Sequence, residues 1–365
     1  MISPVPQSGA PRGSGVYVHI PFCASRCDYC AFATWTDRGH LVGSYLDALV
    51  VEVQRAVADG LSPASTVFVG GGTPSYVPPE GLARVLDAIP RTGDAEVTVE
   101  CNPDDVTPAL VEVLADAGVN RLSLGVQSMV PHVLRALGRS HAPESVPAAL
   151  DAARGAGIAN VNLDLIYGGA GESLADWRAT LDATLALEPE HVSAYALTVE
   201  PGTPLAADAA RHPDDDDQAD KYLLATELLG AAGYEWYEIS NWARPGRRCR
   251  HNLLYWSQGD YRGFGCAAHS HRGGRRWWNV RTPERYIEAI RAGVSPEAGA
   301  EQLDAEARRI EGLQLAIRTV TGAPPDALSD DDLGDLAGLV TRRDGRLVLT
   351  ERGRLLANEV AVRLR

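Results

Sequence analysis

Cys23, Cys27 and Cys30 fall within eight residues, inside the run Tyr-Val-His-Ile-Pro-Phe-Cys-Ala-Ser-Arg-Cys-Asp-Tyr-Cys-Ala-Phe that occupies positions 17–32. Three thiolates at this spacing can each take one iron of a cubane [4Fe–4S] cluster and leave the fourth iron without a protein ligand. An open metal position is where a small ligand binds. The competing reading is tetrahedral zinc, completed by Cys101 or a histidine. Against it, Cys-x3-Cys-x2-Cys lacks the paired spacing of zinc ribbons.

Further polar or unhindered positions follow at intervals. Gly70-Gly71-Gly72-Thr73-Pro74 comes after an apolar run, and backbone without side chains can approach a ligand closely and offer it N–H groups. Glu100, Gln127 and Asp164 lie in or at the ends of otherwise apolar runs, where a buried polar group needs a partner. A shared ligand would satisfy all three, and so would internal hydrogen bonds. At the open iron, S-adenosylmethionine is a ligand that could chelate through its amino and carboxylate groups.

These residues need a scaffold that brings strand ends together. Apolar, β-branched runs at 16–20, 66–69, 96–100, 121–126, 161–166 and 191–197 alternate with helical patterns. In the stretch 41–60, Leu46, Leu49, Val50, Val53 and Val57 share one helical face, and Gly60 can end the helix. Six such repeats predict a parallel sheet wrapped by helices, an α/β fold. The cysteine triplet directly follows the first strand, where the ligand-bearing loop of a barrel begins.

Composition narrows the class. The net charge of −14 argues against a general nucleic-acid binder, and six cysteines in 365 residues are too few for a disulfide scaffold. No apolar run reaches transmembrane length, and the Pro/Gly/Ser-rich start lacks a signal core, so a cytoplasmic location is expected. Residues 1–15 are expected to be disordered.

The texture changes after about residue 232. The acidic run Asp214 to Asp217 reads as a solvated loop or helix start. Eight of the 23 aromatic residues lie within 234–264, where an even spread gives about two. Nine arginines and one acid, Asp260, occupy 244–281, a basic island in an acidic chain. Gly263-Phe264-Gly265-Cys266-Ala267-Ala268 imitates a dinucleotide fingerprint but opens no βαβ unit. Near the C-terminus, Asp344-Gly345 between apolar runs signals a hairpin followed by a last helix, a winged-helix-like arrangement.

Taken together, the triplet, the glycine run and the strand-end polar residues resemble the radical S-adenosylmethionine superfamily, in its coproporphyrinogen oxidase-like branch. The resemblance runs from about Tyr17 to the C-terminal helix. It implies a partial (βα)6 TIM-like barrel over 16–232, a connecting segment over 233–295 and a smaller C-terminal α+β domain over 296–365. It places the metal ligands on Cys23, Cys27 and Cys30, and the S-adenosylmethionine contacts on Tyr17, Gly71, Gly72, Thr73, Glu100, Gln127, Arg139 and Asp164. Arg139 rests on the resemblance alone.

Two features distinguish subgroups. Oxygen-independent coproporphyrinogen III oxidases carry a fourth cysteine where this chain has Phe32, and a longer segment than the 16 residues that precede Tyr17 here. The run His251-Asn252-Leu253-Leu254-Tyr255-Trp256 instead is similar to the H-N-x-x-Y-W motif of the HemW-type heme chaperones. That likeness implies heme as a third ligand, held by His251, Asn252, Tyr255 and Trp256, and no catalytic residue. Imidazole is a common axial ligand, aromatic side chains suit a porphyrin face, and arginine suits its propionates. His269, His271, Cys249 and Cys266 are rival ligands on chemistry alone. The implied partners are heme-accepting respiratory enzymes and a heme donor, with a monomer or a cluster-dependent dimer and a peripheral membrane contact. The alternative function is oxidative decarboxylation of coproporphyrinogen III.

Overall fold

The computed structural model describes residues 13–365; the first twelve positions of the segment expected to be disordered lie outside the described residues. Six strands run parallel in chain order: β1 (Ser14–Ile20), β2 (Ala64–Gly71), β3 (Arg91–Cys101), β4 (Arg121–Gln127), β5 (Asn160–Tyr167) and β6 (His191–Ala196). Each expected apolar run is found in one of them. β1 begins at Ser14, two residues before the expected start, because Ser14 and Gly15 pair with β2.

Side chains alternate along these strands with a period of two. Val16, Val18 and Ile20 of β1, Val67 and Val69 of β2, and Val97 and Val99 of β3 belong to one large apolar core with the surrounding helices. Leu122, Leu124 and Val126 of β4, Leu163 and Leu165 of β5, and Val192 and Ala194 of β6 continue it. The intervening residues are Tyr17 and His19, Thr66, Glu96, Thr98 and Glu100, Arg121 and Ser123, Asn162 and Asp164, and His191 and Ser193. They make the inner surface of the sheet polar, which a barrel core filled only by Val, Ile and Leu is not.

The helix Val42–Ala58 ends before Gly60, which takes φ +89°. Leu46, Leu49 and Val53 are buried and Val50 half-buried, whereas Val57 is exposed, so the apolar face stops one turn short of the predicted length. Glu52 of this helix is buried and accepts hydrogen bonds from Gly265 N (3.0 Å), the Tyr286 hydroxyl (2.7 Å) and Asn279 Nδ2 (3.2 Å). One carboxylate thus ties the helix to distant segments.

The sheet continues beyond residue 232. Residues 233–295, expected to be a connecting segment, supply strands to both of its edges. β7 (Glu235–Glu238) and β8 (Asn241–Ala243) form a hairpin beside β6. β9 (Tyr261–Phe264) pairs parallel with β1, and β10 (His269–Arg272), β11 (Arg275–Asn279) and β12 (Glu297–Gln302) extend that side antiparallel. The order is β12-β11-β10-β9-β1-β2-β3-β4-β5-β6-β8-β7. A six-stranded open sheet would leave two rows of unpaired backbone groups, and these additions occupy both.

The helix Arg250–Trp256 closes the lower end of the sheet, against the first residues of the strands. Glu96, at that end of β3, accepts from Arg250 N and His251 N, both at 3.0 Å. These are first-turn N–H groups that the helix cannot satisfy itself. The guanidinium of Arg121 is buried beside the same carboxylate. A second, smaller core gathers Ile317, Leu328, Leu336, Leu347, Leu349 and Val360 in the C-terminal domain. Its hairpin is β13 (Val340–Arg343) and β14 (Arg346–Leu349), turned by Asp344 and Gly345 at φ +50° and +74°. Among the described residues no helix is long and apolar enough to cross a membrane.

Replacing Glu96 by Ala leaves the two first-turn N–H groups of Arg250 and His251 without their acceptor and removes a carboxylate whose charge acts on the buried Arg121. Chemical denaturation should show a loss of about 3–5 kcal/mol.

Candidate cluster and cofactor site

The cysteine loop is gripped from several sides. Cys23 N donates to Trp35 O (3.2 Å) and Trp35 N to Pro21 O (2.8 Å), closing the loop on itself. Asp28, between the second and third cysteines, donates from its N–H to Leu137 O (3.3 Å) and accepts at its carbonyl from Leu205 N (3.0 Å). Its carboxylate receives Arg211 Nη2 at 2.7 Å. Asp28 was not among the residues expected to matter, and its position between two cysteines was the only sign of it.

β2 delivers the glycine run against this loop. Gly72 N donates to Ile20 O (2.7 Å) and Thr73 N to Phe22 O (2.8 Å). A Cβ on Gly72 would stand 2.6 Å from Phe22 O and 3.0 Å from Cys23 Sγ; on Gly71, which has φ +113°, it would meet the His19 ring at 2.3 Å. No larger residue fits without displacing the cysteine loop at Gly72 or the His19 side chain at Gly71. Thr73 Oγ1 donates to Cys23 Sγ, and Arg139 Nη1 to Cys27 Sγ, each at 3.5 Å.

The three thiols are half-buried, and burial pushes those of Cys23 and Cys30 up. Among the described residues no three His, Cys, Asp or Glu side chains gather around one metal-ion position. A mononuclear zinc site requires that convergence at about 2.0–2.3 Å per ligand, whereas a cubane places each thiolate on a different iron. Cys101 is buried in the helix-facing core, so it does not complete a tetrahedron. Three free thiols on one short loop, two of them already receiving a hydrogen bond at sulfur, are a donor set that fits a cluster held through three thiolates.

Several of the expected cofactor-binding side chains are buried nearby with hydrogen-bonding capacity to spare. Among the described residues Glu100 accepts one hydrogen bond, from Gly71 N at 3.1 Å. Burial, reinforced by the charge of Asp164, pushes its carboxyl up to about 8. Arg139 is held by Gly125 O (2.7 Å) and Asn102 Oδ1, and among the described residues its buried Nε has no partner. Gln127 ends β4 with φ +63°, and its amide approaches Gly125. The Tyr17 hydroxyl contacts His19 Nδ1 at 3.0 Å, while His19 Nε2 takes Ala33 O at 2.9 Å beyond the third cysteine. Asp164 differs from the others: Ser123 Oγ (2.7 Å) and Asn162 Nδ2 (2.9 Å) already satisfy it. The structure thus brings Gly72, Thr73 and Arg139 against the thiols, joins Gly71 to Glu100, sets Gln127 beside Arg139 at Gly125, places Tyr17 on the wall of a cavity and leaves Asp164 bonded internally.

The H-N-x-x-Y-W residues lie elsewhere. His251 is buried at the lower end of the sheet, with Nδ1 2.9 Å from Thr66 Oγ1 and Nε2 2.8 Å from the Tyr255 hydroxyl. It stacks on Phe68 at 5.4 Å, and burial, with Arg121 nearby, holds its pKa down at about 3. Asn252 Nδ2 reaches Glu238 Oε1 (3.0 Å) and the Tyr237 hydroxyl (3.3 Å). In this conformation both imidazole nitrogens are occupied, so His251 offers no lone pair to a metal. Of the rivals, Cys249 and Cys266 are buried, and His271 is tied to Gly259 O (2.9 Å) and Gly274 N (3.2 Å). His269 faces an open cavity.

The basic island is largely neutralised. Arg248 pairs with Glu235, Arg275 with Glu297, and Arg276 with Glu301 and Glu311, while Arg244 and Arg262 lie over aromatic rings. The strict polar–apolar alternation of the strands could have revealed the whole polar lining, of which only Glu100, Gln127 and Asp164 were singled out.

Between pH 4.5 and about 8 the folded chain keeps a proton on Glu100 that the unfolded chain has lost. This group's contribution to stability therefore falls as pH rises through that window. Glu100→Gln should raise the unfolding free energy measured with urea at pH 8 by about 1–3 kcal/mol, and change it little near pH 4.5.

The Radical SAM superfamily matches residues 17–184. The chain is 44% identical to the heme chaperone HemW of Mycobacterium tuberculosis, over 97% of this chain and 95% of that protein. It is 35% identical to the heme chaperone HemW of Bacillus subtilis, over 94% and 97%. Coproporphyrinogen III oxidase HemN from Escherichia coli, a radical SAM enzyme, superposes with a TM-score of 0.83 at 25% identity, covering 97% of this chain and 91% of the other. The α/β sheet described above is accordingly a partial TIM-like barrel with a C-terminal domain appended. On this similarity and the cysteine–glycine geometry together, the chain belongs to the HemW family of the radical SAM superfamily.

Proposed function

We propose that this protein is a cytoplasmic heme chaperone that holds a [4Fe–4S] cluster, S-adenosylmethionine and heme, and delivers heme to respiratory heme proteins. The observation that carries the reading is the 44% identity to a heme chaperone over nearly the whole chain. Phe32, in the position where coproporphyrinogen oxidases are expected to carry a fourth cysteine, supports the same side.

Cys23, Cys27 and Cys30 would hold the cluster, and Glu100, Arg139 and the Gly71–Thr73 backbone would hold the amino-acid end of S-adenosylmethionine. When bound, the cluster supplies single-electron reductive cleavage of the sulfonium. The chain's own residues orient and shield. Thr73 and Arg139 donate toward sulfur, which favours the thiolate a metal requires. Glu100 sits where a ligand's ammonium group would replace the cost of burying its charge. His19 links Tyr17 to the backbone after the third cysteine, so Tyr17 and the cysteine loop share one hydrogen-bonded chain.

Anaerobic reconstitution with iron and sulfide should yield the absorbance of a Cys-ligated iron–sulfur cluster and four irons per chain, both lost in Cys27→Ala. The reduced protein, given S-adenosylmethionine and coproporphyrinogen III, should form no protoporphyrinogen; given heme, it should retain it through gel filtration. Product formation would replace the chaperone reading with the decarboxylase one.

A further inference from the structure

A cavity of about 1010 Å³ lies between the cysteine loop and the β9–β12 side of the sheet. That is the upper end of the range for ligand clefts, roughly 300–1,000 Å³. Phe32, Tyr261 and Trp278 line it, and Phe32 is 68% exposed two residues after Cys30. A large aromatic ring left uncovered beside a cleft marks a binding surface more than an isolated surface residue does.

His269 stands on the wall, opposite Trp278 in the β10–β11 register, with the two rings 5.8 Å apart. Among the described residues its ring makes no hydrogen bond, and burial together with Arg276 lowers its pKa, which keeps the imidazole neutral. Two arginines on the same wall, Arg281 and Arg285, are exposed and enter no ion pair among the described residues. The one acid there, Glu297, is matched by Arg275 at 2.6 Å. The cavity thus combines an open imidazole, flat apolar faces and two free guanidinium groups.

We propose that this cavity is the heme site, where His269 would hold the iron and Arg281 and Arg285 would pair with the propionates. The inference rests on the heme-binding reading above. It gives the H-N-x-x-Y-W motif a positioning role: His251 holds the hydroxyl of Tyr255, and Tyr255 forms part of the cavity wall. It also puts heme beside Ala31, Phe32 and Ala33, in direct continuation of the cysteine loop.

The test is a hemin titration of the full chain, followed by Soret absorbance, for wild type, His269→Gly, Arg281→Glu/Arg285→Glu and His251→Ala. His269→Gly should bind at least about tenfold more weakly, the loss of one metal–ligand contact, with a shifted Soret band that free imidazole restores. The double arginine variant should lose about tenfold or more without a band shift, because charge-assisted bonds position the ring but do not touch the iron. His251→Ala should keep the wild-type band position. A wild-type band and affinity in His269→Gly would overturn the assignment while leaving heme binding intact. A wild-type chain that takes up no heme would remove the reading beneath it.

Discussion

The carbonyls of Ile20 and Phe22 accept hydrogen bonds from Gly72 and Thr73, and nothing bulkier than hydrogen can stand between the two segments. The parallel pairing of β1 with β2 brings the end of one strand and the start of the other loop into this contact. It sets Cys23 against Thr73, and the Gly71 N–H against Glu100. The cysteine loop is too short and too polar to hold a fixed shape alone. It borrows order from the glycine backbone, from Trp35, and from the residues that clasp Asp28.

The same sheet solves an unusual burial problem. Its outer face is apolar and supports the helices, while its inner face carries carboxylates, guanidinium and imidazole groups that cost several kcal/mol each when left without partners. At the upper end, some of that capacity stays open, at Glu100 and at Arg139 Nε. At the lower end, it is consumed internally. Glu96 takes two helix N–H groups, and His191 sits between Asn162 Oδ1 (2.6 Å) and the Tyr237 hydroxyl (2.8 Å). His251 belongs to this saturated end, which is why a motif that implies heme contact is found as a brace beneath the barrel.

Charge follows the same division. A chain of net charge −14 concentrates arginine in one stretch, but most of those guanidinium groups meet a carboxylate or an aromatic face within the extended sheet. Arg281 at the end of that stretch and Arg285 just beyond it enter no ion pair among the described residues, and they share a wall with His269 and with no unmatched acid.

The chain's local order was legible in the sequence. The cysteine spacing, the six apolar runs and the Asp344-Gly345 turn each depend on neighbours a few residues apart, and each is where it was expected. Asp214, read as a loop or helix start, caps the helix Asp215–Ala231 by accepting from Asp217 N. What the sequence could not determine was which distant segments lie side by side. That β9 joins β1, more than 240 residues away in the chain, follows from the unpaired edge of β1 and the reach of Glu52, and no periodicity encodes it. The fate of two similar histidines turns on that placement. His251 is carried inward by a helix anchored on Glu96 and is saturated, while His269 is carried to a cavity wall by a strand pair and is left open. Residue type made both candidates; only the tertiary arrangement, by deciding which ring nitrogens find a partner inside the protein, separated them.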